Sequence, residues 1–145
     1  MNGITFPIGN DSFRDIRRQQ NYYVDKTMFI SDFIKLNIKV SLITRPRRFG
    51  KSLNMTMLRE FFDITKDSHD IFNNLAIMES EYRDLMNSRP VVFLTFKNCR
   101  GSNVENLRLD LIRALQGEYK KYADIVGINN TYESTYAELW IRRIL

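Results

Sequence analysis

Apolar side chains recur every three or four residues in several stretches of the chain, which is the spacing of one face of an α-helix. The pattern predicts helices after Ser12, after Thr27, after Ser52 and after Ser102. The helix after Thr27 is expected to end at Asn37, and the helix after Ser102 begins with a capping box. Shorter helical turns are predicted within residues 71–77 and 82–86, and a final helical pattern covers residues 132–145.

Two nearly continuous apolar runs, Ile38–Thr44 and Val91–Phe96, predict strands that are buried on both faces. Buried strands that alternate with helices favour an α/β fold, here a P-loop NTPase-like three-layer α/β/α architecture with a mostly parallel sheet. Two strands are too few for a complete sheet of that type. We therefore interpret residues 1–145 as one incomplete, N-terminal part of a domain, in which residues 1–37 form a helical segment ahead of the first strand.

The first predicted strand leads into a basic loop that ends in Gly-Lys-Ser, and a helix follows at once. This order is typical of a P-loop, in which backbone N–H groups and a helix N-terminus hold the phosphates of a nucleotide. Lys51 would reach the outer phosphates, and the Ser52 hydroxyl would be a ligand for Mg²⁺. The candidate nucleotide-binding residues are Arg47, Arg48, Phe49, Gly50, Lys51, Ser52 and Leu53.

The loop departs from the full P-loop pattern at Arg45, where the pattern requires glycine. Glycine normally lets the chain leave the strand with an unusual backbone conformation, which arginine adopts less readily. The alternative interpretation is a basic turn that leads into a helix on a solvated surface.

Composition narrows the choice of function only a little. The chain has 145 residues and a net charge of +5, which permits an anionic partner such as a nucleotide or a nucleic acid. A nucleic-acid-binding module without nucleotide function, using Arg45, Arg47, Arg48 and Lys51, is therefore the second hypothesis. One cysteine, Cys99, fits a reducing, cytoplasmic compartment, and neither a signal peptide nor a membrane-spanning run is evident.

The sequence offers little for catalysis. With one histidine, His69, and one cysteine, a zinc site or a histidine-dependent nucleophile is not expected. A P-loop NTPase also needs a carboxylate after a neighbouring strand, and the run Val91–Phe96 is followed by Lys97-Asn98-Cys99-Arg100. Binding is thus better supported than hydrolysis, and no catalytic residue is predicted.

Four segments together resemble the start of the bacterial and archaeal AAA-ATPase-like proteins. They are residues 6–9 (Phe-Pro-Ile-Gly), residues 22–27 (Tyr-Tyr-Val-Asp-Lys-Thr), residues 42–55 with the Arg-Pro-Arg-Arg-Phe-Gly-Lys-Ser loop, and residues 90–96. In that family arginine replaces the first P-loop glycine. The resemblance implies ATP with Mg²⁺ as the ligand. It also implies that a strand ending in Asp-Glu and a PD-(D/E)XK nuclease-like domain follow later, through which the full-length protein could meet nucleic acid; the chain would then be a fragment.

Two functions compete for the segment around Asp25. Asp25 and Lys26 lie in one of the family-like segments and could lie across a bound nucleotide, or Asp25 and Thr27 could cap the next helix. Among the loop arginines, we expect Arg48 to face phosphate or the helix N-terminus, and Arg45 to anchor the loop through a carboxylate or a carbonyl. The oligomeric state is left open.

Overall fold

The computed structural model describes residues 5–44, 46, 49–98, 103–122 and 125. In these ranges the chain forms α-helices and short 3₁₀ turns. The α-helices are α1 (Phe13–Arg18), α2 (Met28–Leu36), α3 (Lys51–Phe62), α4 (His69–Phe72) and α5 (Val104–Lys120). The 3₁₀ turns are Ala76–Glu79, Arg83–Leu85 and Phe96–Asn98.

The prediction of a parallel α/β sheet is wrong for the part of the chain that the structure describes. No strand forms there, and the one β-bridge joins Asp63 to Arg89, outside both predicted strands. Along Ile38–Thr44, Val40 and Leu42 are 84% and 85% exposed instead of buried. A strand exists only when a second segment completes its ladder of hydrogen bonds, so an apolar run alone does not produce one.

The helix predictions are largely confirmed, including their local signals. The Ser12 hydroxyl accepts a hydrogen bond from the Asp15 amide at the start of α1, and Asn37 ends α2 with a left-handed φ of 44°. At α5 the N-cap residue is Asn103 rather than Ser102, because its side chain accepts from the Asn106 amide at 2.8 Å. The predicted helix at residues 132–145 lies outside the described residues.

The chain divides into two compact units, Met1–Val91 and Val92–Leu145. The first unit has a core of aromatic and aliphatic side chains, in which the Phe72 ring lies 4.9 Å from Phe13 and 5.4 Å from Phe61. These three phenylalanines are fully buried. The core brings α1, α3 and α4 together, and its buried members are Phe13, Ile30, Met57, Phe61, Ile71, Phe72, Leu75, Ile77 and Met86.

The second unit is described from Val92 to Asn98, from Asn103 to Tyr122 and at Ile125. Its main element is α5, and none of the helix residues is buried. Glu118 on α5 accepts a hydrogen bond from the Phe93 amide at 3.1 Å, which ties the preceding segment to the helix. Within the described ranges, no helix is both long enough and apolar enough to cross a membrane.

Candidate functional site

Helix α3 begins after a glycine, without a side-chain cap. Gly50 is the N-cap residue and adopts a left-handed conformation with φ 73°, which glycine reaches without steric cost. No side chain caps the helix, and its first turn contains no acidic residue. The partial positive charge of this helix end is therefore not neutralised by a carboxylate of its own first turn.

The Gly-Lys-Ser sequence lies at this helix end. Lys51 is the first residue of α3, and its ammonium group donates a hydrogen bond to the Pro46 carbonyl at 3.3 Å, so the side chain folds back over the loop. Ser52 is exposed in the first turn. Leu53 is partly buried and packs against the core of the first unit, which anchors the helix start below the loop.

A cleft of about 750 Å³ opens beside this helix start. One wall is Gly50–Leu53, the other is the segment Pro7–Asp11, and Ile16 of α1 completes the lining. Clefts of 300–1,000 Å³ are of the size that holds cofactors and small ligands. The cleft therefore places the Gly-Lys-Ser residues in a concavity rather than on a flat surface.

Thr56 holds the two walls of the cleft together. Its hydroxyl accepts from the Phe13 amide at 3.2 Å and has the Asp11 carbonyl at 2.9 Å and the Leu53 carbonyl at 3.0 Å as acceptors for its proton. Thr56 lies on α3 about one turn beyond Ser52. The Thr56 contacts therefore fix the end of the Pro7–Asp11 segment against the helix that begins with Lys51.

A buried ion pair adds a second tie between α1 and α3. Glu60 of α3 is 6% exposed. Its carboxylate oxygens lie 2.5 Å from a guanidinium nitrogen of Arg14 and 3.0 Å from the ammonium nitrogen of Lys66. Arg14 also donates to the Asp67 carbonyl and to the Ser68 hydroxyl, both at 3.0 Å. The carboxylate is thus paired and hydrogen-bonded, as a buried charge must be.

The structure describes some of the predicted site residues and not others. The structure brings Gly50, Lys51, Ser52 and Leu53 together on one wall of the cleft, and Phe49 is 63% exposed just before them. The predictions for Arg45, Arg47 and Arg48 lie outside the described residues. The sequence did not indicate the Pro7–Asp11 wall as part of the site, although the Phe-Pro-Ile-Gly segment was a signal that could have pointed to it.

Asp25 and Thr27 lie at the start of α2, but the predicted side-chain cap does not form: Thr27 is the N-cap residue and makes no side-chain capping bond. The Asp25 carboxylate accepts from the Thr27 amide at 2.8 Å, from the Thr27 hydroxyl at 2.7 Å and from the Ala76 amide at 2.8 Å. Partial burial raises the pKa of Asp25, but these hydrogen bonds outweigh it and hold the pKa below its usual value. Asp25 therefore fastens the start of α2 to the 3₁₀ turn at Ala76.

His69 is the first residue of α4 and is exposed. In the part of the chain that the structure describes, no three His, Cys, Asp or Glu side chains come together as a group that could hold a metal ion.

A helix N-terminus that carries Gly-Lys-Ser and faces a cleft is typical of proteins that bind phosphate-bearing ligands. Residues 7–144 match the sequence pattern of a family described as "Predicted AAA-ATPase", and the chain belongs to that family.

One similar protein, from Azotobacter chroococcum mcd 1, is named "Uncharacterized protein in vnfD 5'region". It is 34% identical over 124 residues, which are 85% of this chain and 21% of the relative. The chain therefore corresponds to about a fifth of the length of that protein. No solved structure matches the chain significantly.

Proposed function

We propose that this chain binds ATP, as its Mg²⁺ complex, at the start of α3. The observation that supports the proposal most directly is the placement of Gly50, Lys51 and Ser52 at an uncapped helix N-terminus beside a cleft. Family membership adds the class of ligand, since the family is described as a predicted AAA-ATPase.

The residues at the helix start fit a polyphosphate. Gly50 has the left-handed φ that turns the chain sharply into the helix, and the space on the side where a Cβ would stand is open. Phosphate oxygens can approach the backbone there and accept from amides of the first turn, which have no acceptor inside the helix. Lys51 carries an ammonium group with three donors, and exchange of its Pro46 contact for a phosphate oxygen would add a charge-assisted hydrogen bond.

Ser52 fits the role of a metal ligand. Its hydroxyl is exposed in the first turn, next to the residue that reaches the outer phosphates. Mg²⁺ prefers oxygen ligands and keeps several waters, so one hydroxyl together with phosphate oxygens is a typical protein contribution. The bound ion would offset the charge of the phosphates.

Calorimetric titration with Mg·ATP tests the proposal. Lys51→Ala should weaken binding by about tenfold or more, because a hydrogen bond from a charged donor contributes about 1.5–3 kcal/mol. Lys39→Ala is the matched control, since it removes the same charge from an exposed position ahead of the loop. It should leave the dissociation constant within about twofold.

The variant Ser52→Ala tests the contribution of the metal ion separately from that of the phosphate contacts. Without Mg²⁺, the affinity of this variant for ATP should be close to that of the native chain. Addition of Mg²⁺ should raise the affinity of the variant only slightly. Equal Mg·ATP affinity in the native chain and in Lys51→Ala would contradict the proposal.

A further inference from the structure

The two walls of the cleft differ in chemical character. The Gly50–Leu53 wall presents a helix N-terminus, an ammonium group and a hydroxyl. The rest of the lining contains three apolar side chains, from Pro7, Ile8 and Ile16, and the uncharged Asn10 beside Asp11. A nucleotide has the same division, because its phosphates are anionic and its base is a flat ring with apolar faces.

Charge also argues against phosphate on the second wall. Asp11 lines the cleft at the end of the Pro7–Asp11 segment. An ionised carboxylate has no hydrogen-bond donor to offer to phosphate oxygens. The second wall therefore suits an uncharged part of a ligand.

The Pro7–Asp11 segment is held at both ends. Ahead of it, the Tyr22 amide donates to the Thr5 carbonyl at 2.8 Å, and the Phe6 and Tyr22 rings lie 5.4 Å apart. Behind it, the Thr56 hydroxyl lies 2.9 Å from the Asp11 carbonyl. Both anchors hold backbone groups, so the wall is in place before any ligand arrives.

The segment itself is a tight turn. The Asn10 amide donates to the Pro7 carbonyl at 3.4 Å, and Gly9 has a φ of 76°, as the third residue of a type II turn requires. The turn projects Ile8, whose side chain is 94% exposed although it lies on a cleft wall. Because the backbone of the turn is already held, a ring can bind there without a further loss of backbone freedom.

We propose that the turn at Pro7–Asp11 is the base-binding wall of the nucleotide site. Ile8 then packs on the face of the base, and the phosphates of the same nucleotide bind at Gly50–Ser52. This inference rests on the proposed function and extends it from the phosphates to the nucleoside. Thr56 is then a positioning residue, because its hydroxyl sets the distance between the base wall and the phosphate wall.

Two ligands that share a phosphate chain separate the two proposals. Calorimetric dissociation constants are measured for ATP and for inorganic tripolyphosphate, each with Mg²⁺, on the 145-residue chain. We expect the native chain to bind ATP about tenfold more tightly than tripolyphosphate, because burial of the base and of Ile8 adds apolar contact.

Ile8→Ala should weaken ATP binding about fivefold and leave tripolyphosphate binding within about twofold, because only the base loses its contact. Ile8→Val should retain most of the native affinity for ATP. The matched control is Leu36→Ala, which shortens an exposed apolar side chain on α2 that does not line the cleft. Because Ile8 is almost fully exposed, its replacement should not disturb folding.

Each remaining outcome counts against a specific claim. If the native chain binds ATP and tripolyphosphate equally well, the phosphate site stands and the base wall is wrong. If Ile8→Ala weakens both ligands equally, or neither, the base wall is again wrong. If the native chain binds neither ligand, the proposed function is wrong and the base wall is wrong with it.

Discussion

Helices α3 and α5 have similar sequence patterns but very different surroundings. In α3, 12 residues long, four residues are buried: Asn54, Met57, Glu60 and Phe61. In α5, which is 17 residues long, none is buried. An apolar stripe at helical spacing predicts that both segments are helices, but the amount of surface that each removes from water depends on the elements that pack against it.

The two helices are accordingly stabilised in different ways. The start of α3 has no side-chain cap, and its stability comes from the core and from the ion pair of Glu60 with Arg14. In α5 the support is local and comes from the Asn103 cap and from ion pairs three residues apart: Glu105 with Arg108, Asp110 with Arg113, and Glu118 with Lys121. Pairs of this kind contribute only about 0.2–0.5 kcal/mol each.

The comparison is tested most strongly by truncating one apolar side chain on each helix. Phe61→Ala should lower the free energy of unfolding by about 3–5 kcal/mol, because it removes a fully buried ring from the core. Leu109→Ala, on α5 and 41% exposed, should cost less than about 1 kcal/mol. Urea denaturation followed by circular dichroism measures both, and similar losses would show that the difference in burial has no energetic meaning.

Removal of one carboxylate from each helix gives a smaller but still clear contrast. Glu60→Ala should cost about 2 kcal/mol, less than for a fully buried pair, because Arg14 and Lys66 remain 20% and 19% exposed. Asp110→Ala breaks a surface pair with Arg113 and should cost less than about 0.5 kcal/mol.

The same denaturation experiment in 1 M salt sharpens the contrast between these carboxylates. The residual effect of Asp110→Ala should disappear, because surface charges are screened, whereas most of the Glu60→Ala loss should remain. A Glu60→Ala effect that vanished in salt would mean that the pair behaves as a surface pair.

The smallest expected contrast lies at the starts of α2 and α5, where the two variants differ in how their effect on stability depends on pH. Asp25→Asn, ahead of α2, should cost less than about 1 kcal/mol at pH 7, because Asp25 is exposed and its interactions are screened. Asn103→Ala, at the start of α5, should cost about 1 kcal/mol as the loss of an N-cap.

Only the Asp25 effect should depend on acidity. The folded state lowers the pKa of Asp25, so its contribution is present above the unfolded pKa of about 3.9 and is lost as the pH falls through the folded value. The difference between the native chain and Asp25→Asn should therefore shrink as the pH falls below about 4. The Asn103→Ala difference should show no such trend, and denaturation at several pH values measures both.

The sequence predicted the features that depend on near neighbours along the chain. Helices α1 and α2 follow from spacing and from caps such as Ser12 and Asn37, which act within four residues. The N-cap of α5 was misplaced by one residue, because both Ser102 and Asn103 can cap a helix and only the structure shows which side chain accepts the amide.

Features that depend on distant partners were not predictable in the same way. The runs Ile38–Thr44 and Val91–Phe96 have the composition of strands, but a strand also needs a partner that composition does not specify. The Gly-Lys-Ser loop was found from the sequence, since its residues are adjacent. Its opposite wall, Pro7–Asp11, lies about 40 residues earlier, and the Thr56 bonds that bring it there leave no local pattern.

Because Thr56 bonds to the wall of the cleft opposite its own helix, ligand binding in the cleft can be measured as a rise in melting temperature. The wall that ends at Asp11 continues directly into α1, whose Phe13 belongs to the core and whose Arg14 reaches Glu60. A ligand that bridges the two walls binds an arrangement that exists only while α1 stays docked, so it opposes unfolding of the first unit as a whole. At a concentration 100 times its dissociation constant, such a ligand adds about 2.7 kcal/mol to the free energy of unfolding. A melting curve can therefore rank candidate ligands of the cleft without a label and without an enzymatic readout.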